Sequence, residues 1–206
     1  MRRAVNIHDI EQLDRLWKKI YPYVASQIME AFQRDYGSVL ELGAFSGGIS
    51  LELARSHPRI AITIGAELPA VSEYLRTKIA LSGLSKRIAV EATDLAHLQF
   101  GDAQFDLVIL RGAFFFLKDR VGLLGEIVRV LRAGGMAFVG GGYGKGTPKE
   151  LIDEIADQSR ELNMRLGRKR VSKEELEEIV RKSELADLCK IEEEGGLWIT
   201  IRKQNA

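Results

Sequence analysis

Between Ser38 and Gly142, apolar runs of strand length alternate with stretches of helical spacing. The runs are "SVLEL", "IAITIGA", "RIAVEA", "FDLVIL" and "MAFVGG". Near-continuous apolar strands are buried on both faces, and parallel strands need crossovers long enough to hold a helix. The alternation therefore predicts a doubly wound α/β protein, a parallel sheet between two helical layers. Helices are expected at "GGISLELARSHP", "PAVSEYLRTKIALSGL" and "DRVGLLGEIVRVLRAGG". Pro69 suits a first helical turn, and Gly134-Gly135 suit a helix end.

The flanks read differently. "IEQLDRLWKKIYPYVASQIMEAF" carries apolar residues at helical spacing, with Pro22 interrupting or restarting the helix. After the fifth strand comes a polar helix, "PKELIDEIADQSRELN", and a basic loop with Arg165, Arg168, Lys169, Arg170 and Lys173. Ser172 and Glu175 are spaced as a capping box. "LCKIEEE" and "LWITIRK", joined at Gly195-Gly196, read as a tightly connected antiparallel pair. The chain is thus expected to be a single domain over 1–206. Its parts are a helical cap (1–36), a core (37–142), a helical insertion (143–171), and a last helix with the strand pair (172–206).

The totals narrow the class. The chain has 206 residues, 46% hydrophobic and 29% charged, with a formal net charge of +1. A near-neutral balance argues against general binding to nucleic acid or anionic membrane. With one cysteine, Cys189, no internal disulfide and no cysteine-based metal site can form. "MRRAVNIHDIEQ" has no apolar run after its basic residues, and no segment is long and apolar enough to span a bilayer. A cytoplasmic location is expected.

Ligands of such sheets bind beyond the carboxyl ends of the strands, where strand order reverses. "VLELGAFSGGIS" is a strand, a glycine loop and a helix start in that place. Gly43 and Gly47 permit close backbone approach, and the helix presents its amide end. Glu67 ends the second strand, where an acid can accept hydrogen bonds from a ribose diol. Asp94 ends the third, where a carboxylate can accept from an adenine amine. Three strand ends carrying suitable groups are a stronger signal than any one alone.

On "VLELGAFSGGIS", "IGAELPA", "ATDLAHLQFGDAQFDLVIL" and "EIVRVLRAGGMAFV", the chain resembles the class I S-adenosylmethionine-dependent methyltransferases. The phrase "RVLRAGG" is similar to their small-molecule, type 11-like branch. The resemblance implies a three-layer Rossmann-like methyltransferase fold, a seven-stranded mostly parallel sheet with the last strand antiparallel. It implies S-adenosylmethionine as cofactor and S-adenosylhomocysteine as product. By position, Glu41 and Gly43 would shape the loop beside its methionine part, and Ala44, Phe45 and Gly47 would also line the cofactor. Glu67 would hold the ribose hydroxyls, with Leu68 against adenine. Asp94 and the Leu95 amide would read the adenine edge, and Arg111 and Gly112 would line the methionine end. Some O-methyltransferases of this class carry an aromatic residue where Phe45 stands.

The expected activity is methyl transfer by direct displacement to a small-molecule acceptor. "ILRGAFFFL" lacks both the Asn/Asp-Pro-Pro-aromatic signature of base amino-methylating enzymes and the Pro-Cys of cytosine C5 enzymes. Acidic ligands beside Arg111 are not evident, and no metal is expected. Trp17, Tyr21 and Tyr23, Phe114 to Phe116, and Tyr143 are the acceptor-facing candidates, with Trp17, Tyr21 and Phe114 foremost. Tyr143, in "GGGYGKG", is the candidate catalytic side chain, because glycine-flanked loops at strand ends serve sites. Two alternatives stand: an RNA or protein methyltransferase using the basic loop, and a non-catalytic cofactor-binding subunit. A dehydrogenase is disfavoured by the terminal strand pair and by the lack of glycine at position 45.

Overall fold

The computed structural model describes residues 7–43, 46–165 and 171–205. Ala44, Phe45 and most of the basic loop, including Arg168, Lys169 and Arg170, lie outside the described residues. The chain opens with α1 (Ile7–Trp17), a 3-10 turn (Lys18–Ile20) and α2 (Tyr21–Phe32). The core runs β1 (Tyr36–Leu42), α3 (Gly48–Ser56), β2 (Arg59–Ala66), α4 (Pro69–Leu81), β3 (Ile88–Ala92) and β4 (Phe105–Arg111). It continues through a 3-10 turn (Ala113–Phe116), α5 (Arg120–Val130) and β5 (Leu131–Gly142). Then come α6 (Lys149–Arg165), α7 (Lys173–Lys182), β6 (Cys189–Glu192) and β7 (Gly196–Arg202).

The seven strands lie in the order β3-β2-β1-β4-β5-β7-β6. β7 pairs antiparallel with both β5 and β6, and every other pairing is parallel. The expected architecture is present. The order reverses at β1, whose neighbours are β2 and β4. A crevice therefore opens between the carboxyl ends of β1 and β4.

Strand alternation sorts the apolar residues into two layers. Val39, Ile62, Ile64, Leu107, Ile109, Phe138 and Trp198 face α1 to α4 and α6. Leu40, Leu42, Val108, Leu110, Val139 and Ile199 face α5 and α7. Glu41 falls between Leu40 and Leu42, so the same alternation turns it toward the first layer and α3. The three helices of the first layer's outer edge are tied together by ion pairs. Lys78 of α4 holds Asp14 of α1 at 2.5 Å, and Lys19 holds Glu154 of α6 at 2.6 Å.

The first long helix breaks at the 3-10 turn Lys18–Ile20 and restarts with Pro22 in the opening turn of α2, where its missing N–H costs nothing, as the sequence predicts. One local expectation is corrected. The segment "LRAGG" is not the end of α5. The helix stops at Val130, and Leu131 to Gly135 already belong to β5, with a register shift against β4 between Phe105 and Leu107. The carbonyls at this helix end are taken by Lys203, whose Nζ donates to Val128 O at 2.8 Å and Leu131 O at 2.7 Å. Gly134 meanwhile donates its N–H to Lys203 O. A lysine far along the chain thus does the capping that the glycines were expected to do. Among the described residues, no helix is long and apolar enough to cross a membrane.

Candidate active site

The carboxyl ends of β1, β4 and β5 and the start of β7 surround a cavity of about 340 Å³. One side is the glycine loop and the opening of α3: Glu41, Ser46, Gly47, Gly48 and Ile49. The opposite side is Arg111 and Gly112 after β4, Phe115 and Phe116, and Gly141 to Tyr143 after β5. The roof comes from outside the core, with Leu13, Trp17 and Tyr21 from the first helices and Ser159 from α6.

Local chemistry explains the loop side. Gly47 is the N-cap of α3 and offers no side chain to its amides. Glu41 fills the role from β1: its carboxylate accepts the Ser50 N–H at 3.1 Å and also the Ser50 hydroxyl. It is 5% exposed. Burial pushes its carboxyl up from the ordinary carboxylate range, while the Ser50 hydrogen bonds, then Arg111 and Lys78, pull it back. Gly43 and Gly47 have φ of +60° and +62°, the left-handed region open to glycine. A Cβ on Gly43 would also collide with the Ala113 side chain, and one on Gly47 would stand 2.8 Å from Leu75.

The cap is tied directly to this loop. Tyr21 and Ser46 share a hydrogen bond of 2.5 Å between hydroxyls. Lys78 Nζ donates to Ser46 O at 2.8 Å while holding Asp14. Burial pushes the Tyr21 phenol far above its ordinary range, so it remains neutral. On the far side, Arg111 donates to Gly142 O from Nη2 at 2.9 Å and from Nε at 3.3 Å. Its guanidinium carbon lies 4.3 Å from the centre of the Trp17 ring, and Trp17 packs on Tyr143 at 5.5 Å.

Of the expected site residues, the cavity brings together Trp17, Tyr21, Glu41, Gly47, Arg111, Gly112 and Tyr143. Gly43 is beside it, at the end of β1. Glu67, Leu68, Asp94 and Leu95 do not line it; they follow β2 and β3, the next strands along the sheet. Glu67 and Asp94 are exposed, and Leu68 is half-buried. Asp94 closes its own turn, accepting the Ala96 N–H at 2.8 Å. The Leu95 side chain is core, packed beneath Gly43. Of the three phenylalanines expected to face the acceptor, Phe115 and Phe116 reach the cavity, and Phe114 is a correction: it is 0% exposed and faces the α5 layer. A 3-10 turn rotates successive side chains by about a third of a circle, so three adjacent phenylalanines cannot share one face.

The loop after β3 is stapled by residues that the sequence reading missed. Glu126 accepts the Leu98 N–H at 2.9 Å, and Arg129 donates to Leu98 O, Phe100 O and Asp102. Ser159 was missed as well. The signal was available, since Ile155, Ser159 and Leu162 recur at helical spacing on an otherwise polar helix, and all three are buried.

A doubly wound sheet with its covered cavity at the strand-order reversal puts that cavity where ligands of such α/β proteins bind. The comparisons with known proteins narrow this. Residues 40–139 match the family model described as "Methyltransferase domain". The chain is 27% identical over 128 residues to the ubiquinone/menaquinone biosynthesis C-methyltransferase UbiE of Geobacter sp. strain M21, covering 62% of this chain and 52% of that protein. It is 30% identical over 123 residues to a dimethylglycine N-methyltransferase of Parasynechococcus marenigrum, covering 59% and 44%. The chain therefore spans about half the length of the curated relatives it matches. A crystal structure of a protein assigned as an S-adenosylmethionine-dependent methyltransferase from Methanococcus maripaludis superposes with a TM-score of 0.83 at 26% identity, covering 100% of this chain and 98% of that one. The matched segment 40–139 and the superposition support a class I S-adenosylmethionine-dependent methyltransferase.

Proposed function

We propose that this protein transfers a methyl group from S-adenosylmethionine to a small-molecule acceptor held in the covered cavity. The observation that carries the reading is the enclosure itself. The cavity is bounded by the glycine loop on one side and by Arg111, Tyr143 and the α1 and α6 roof on the other. At about 340 Å³ it lies at the low end of small-molecule sites. A roofed pocket of that size suits a compact acceptor better than a polymer. The two curated relatives carry carbon and nitrogen acceptors in their names, so the family supports the reaction class and leaves the acceptor atom open.

The residues present fit the cofactor. Gly112, with φ +78°, has nothing within 4 Å of where a Cβ would stand, so the wall opposite the loop is open there. Glu41, Gly43, Gly47, Arg111 and Gly112 would hold its methionine part. Glu67 and Leu68 would meet the ribose and adenine, and Asp94 and Leu95 the adenine edge. When bound, S-adenosylmethionine supplies a methyl group on a cationic sulfur; the acceptor's electron pair forms the new bond as the sulfur–methyl bond breaks, leaving that bond's pair on a neutral thioether. The protein's part is alignment and exclusion of water. Trp17 and Tyr143 give the acceptor flat apolar walls. Tyr21 is committed to Ser46, so Tyr143 is the phenol we assign to positioning the acceptor by hydrogen bonding.

The test is a calorimetric titration with S-adenosylmethionine and S-adenosylhomocysteine, with NAD as control, followed by an acceptor screen read by mass. Saturable binding of the first two, without NAD, is expected. Binding without turnover on any acceptor would favour a non-catalytic subunit. Methylation of RNA or protein in place of small molecules would favour the basic segment as an acceptor surface.

A further inference from the structure

We propose that Gln99 is a positioning residue for the cofactor's base: its amide shapes the turn after β3 that presents Asp94 and the Leu95 N–H to the adenine edge. The inference rests on the placement of Asp94 and Leu95 at that edge. The turn leaves the sheet at a fixed level, because Thr93 donates its N–H to Ala66 O at 3.1 Å and so continues the pairing of β3 with β2. Thr93, Leu95, Leu98 and Phe100 are buried. Asp94, Ala96, His97 and Gln99 are exposed. Buried anchors thus hold both limbs of the turn, and its outer face carries Asp94 and Gln99.

One side chain closes that outer face. Gln99 Oε1 accepts the Asp94 N–H at 2.7 Å, and Gln99 Nε2 donates to His97 O at 2.5 Å. The His97 N–H in turn donates to Asp94 O at 3.2 Å, and the Ala96 N–H donates to Asp94 Oδ1 at 2.8 Å. A carboxamide suits this place because it accepts and donates at once. The Asp94 carbonyl and the Leu95 N–H belong to one planar peptide and point opposite ways. Holding that carbonyl into the turn therefore directs the Leu95 N–H out of it. Gln99 fixes the peptide before Asp94 directly, and it fixes His97, which holds the peptide after Asp94. Glu126 and Arg129 secure the residues on either side of Gln99, through Leu98 N–H, Leu98 O and Phe100 O. Gln99 carries that hold forward to Asp94.

The experiment titrates the intact chain with S-adenosylhomocysteine and with S-inosylhomocysteine by calorimetry. The inosine form replaces the adenine amine with a carbonyl oxygen and places a hydrogen on N1. It therefore reverses both groups that the Asp94 carboxylate and the Leu95 N–H would meet. The parent is expected to prefer the adenine form by about thirty-fold or more. Gln99→Ala should weaken S-adenosylhomocysteine about ten-fold and leave S-inosylhomocysteine within about two-fold of the parent. Unchanged binding of the inosine form also shows that the variant is folded. In an Asp94→Ala background, Gln99→Ala should shift S-adenosylhomocysteine by no more than about three-fold, because Gln99 acts mainly through Asp94. An equal loss for both nucleosides would make Gln99 a merely structural part of the loop and overturn the proposal. So would a Gln99→Ala protein with the parent's preference, or the full effect persisting without Asp94. A parent that binds both nucleosides alike would remove Asp94 from the base and overturn the proposal while the cofactor reading stands. A parent that binds neither would remove the cofactor reading itself, and the proposal with it.

Discussion

Gly48→Ala puts two physical arguments in opposition. Gly48 opens α3, and a methyl group in a first helical turn favours the helix by up to about 1 kcal/mol. The tertiary structure predicts the reverse sign. A Cβ on Gly48 would stand 2.5 Å from Cζ of the Tyr21 ring and closer still to Cδ2 and Cε2, where ordinary contact begins near 3.4 Å. The ring must therefore withdraw by about 1 Å or more. Tyr21 is 6% exposed and hydrogen-bonded to Ser46, so the withdrawal disturbs packing and that bond together. Overpacking typically costs about 1–3 kcal/mol, and the bond adds about 1 kcal/mol. Set against the helix gain, a net loss of about 1–3 kcal/mol lowers the Tm of a chain of this length by roughly 2–12 °C. Thermal melts of Gly48→Ala, Tyr21→Ala and the double variant measure it. The clash is absent when residue 21 is small, so the double variant should be more stable than the sum of the single effects by about 1.5 kcal/mol or more. A Gly48→Ala protein as stable as the parent, or strictly additive effects, would refute the packing argument and with it the seating of the cap on the loop.

Glu67→Ala should weaken S-adenosylhomocysteine binding about ten-fold or more, because hydrogen bonds to a charged group contribute about 1.5–3 kcal/mol; equal calorimetric affinities would remove Glu67 from the site. Glu126 gives a pH dependence of defined sign. The Arg129 side chain holds its carboxyl down at about 2 against an ordinary 4.5, so its stabilising contribution is complete above 4.5 and is lost as pH falls toward 2. Urea denaturation of the parent and Glu126→Gln should differ most near pH 6 and converge with acid, and a constant gap would exclude the linkage. Burial pushes the Cys189 thiol up to about 11 from 9.0, which lowers its thiolate fraction at pH 8 by about 100-fold. Iodoacetamide should modify it correspondingly faster in urea than in the folded protein, and equal rates would contradict the burial.

Legibility in the sequence followed the range of the forces involved. Hydrophobic period and turn chemistry are local, and they located the strands, the crossover helices and the antiparallel pair within a few residues. The "LRAGG" segment misled because its glycines satisfy a local capping rule, whereas the carbonyls there are taken by Lys203, a residue far along the chain. Phe114 misled for a related reason: three identical side chains in a row carry no signal of which one turns toward the crevice.

What the sequence by itself determined is the doubly wound sheet, the glycine loop at its strand-order reversal, and the acids beyond β2 and β3. Each of those depends on residues within one strand-to-helix unit. Only the tertiary structure decided that Glu41 caps α3, that Tyr21 and Lys78 bind the cap to Ser46, and that Trp17, Arg111, Tyr143 and Ser159 close one cavity. These groups come from α1, α2, β4, the segment after β5 and α6. Their meeting follows from how two helical layers pack on a twisted sheet, and no local pattern encodes that distance.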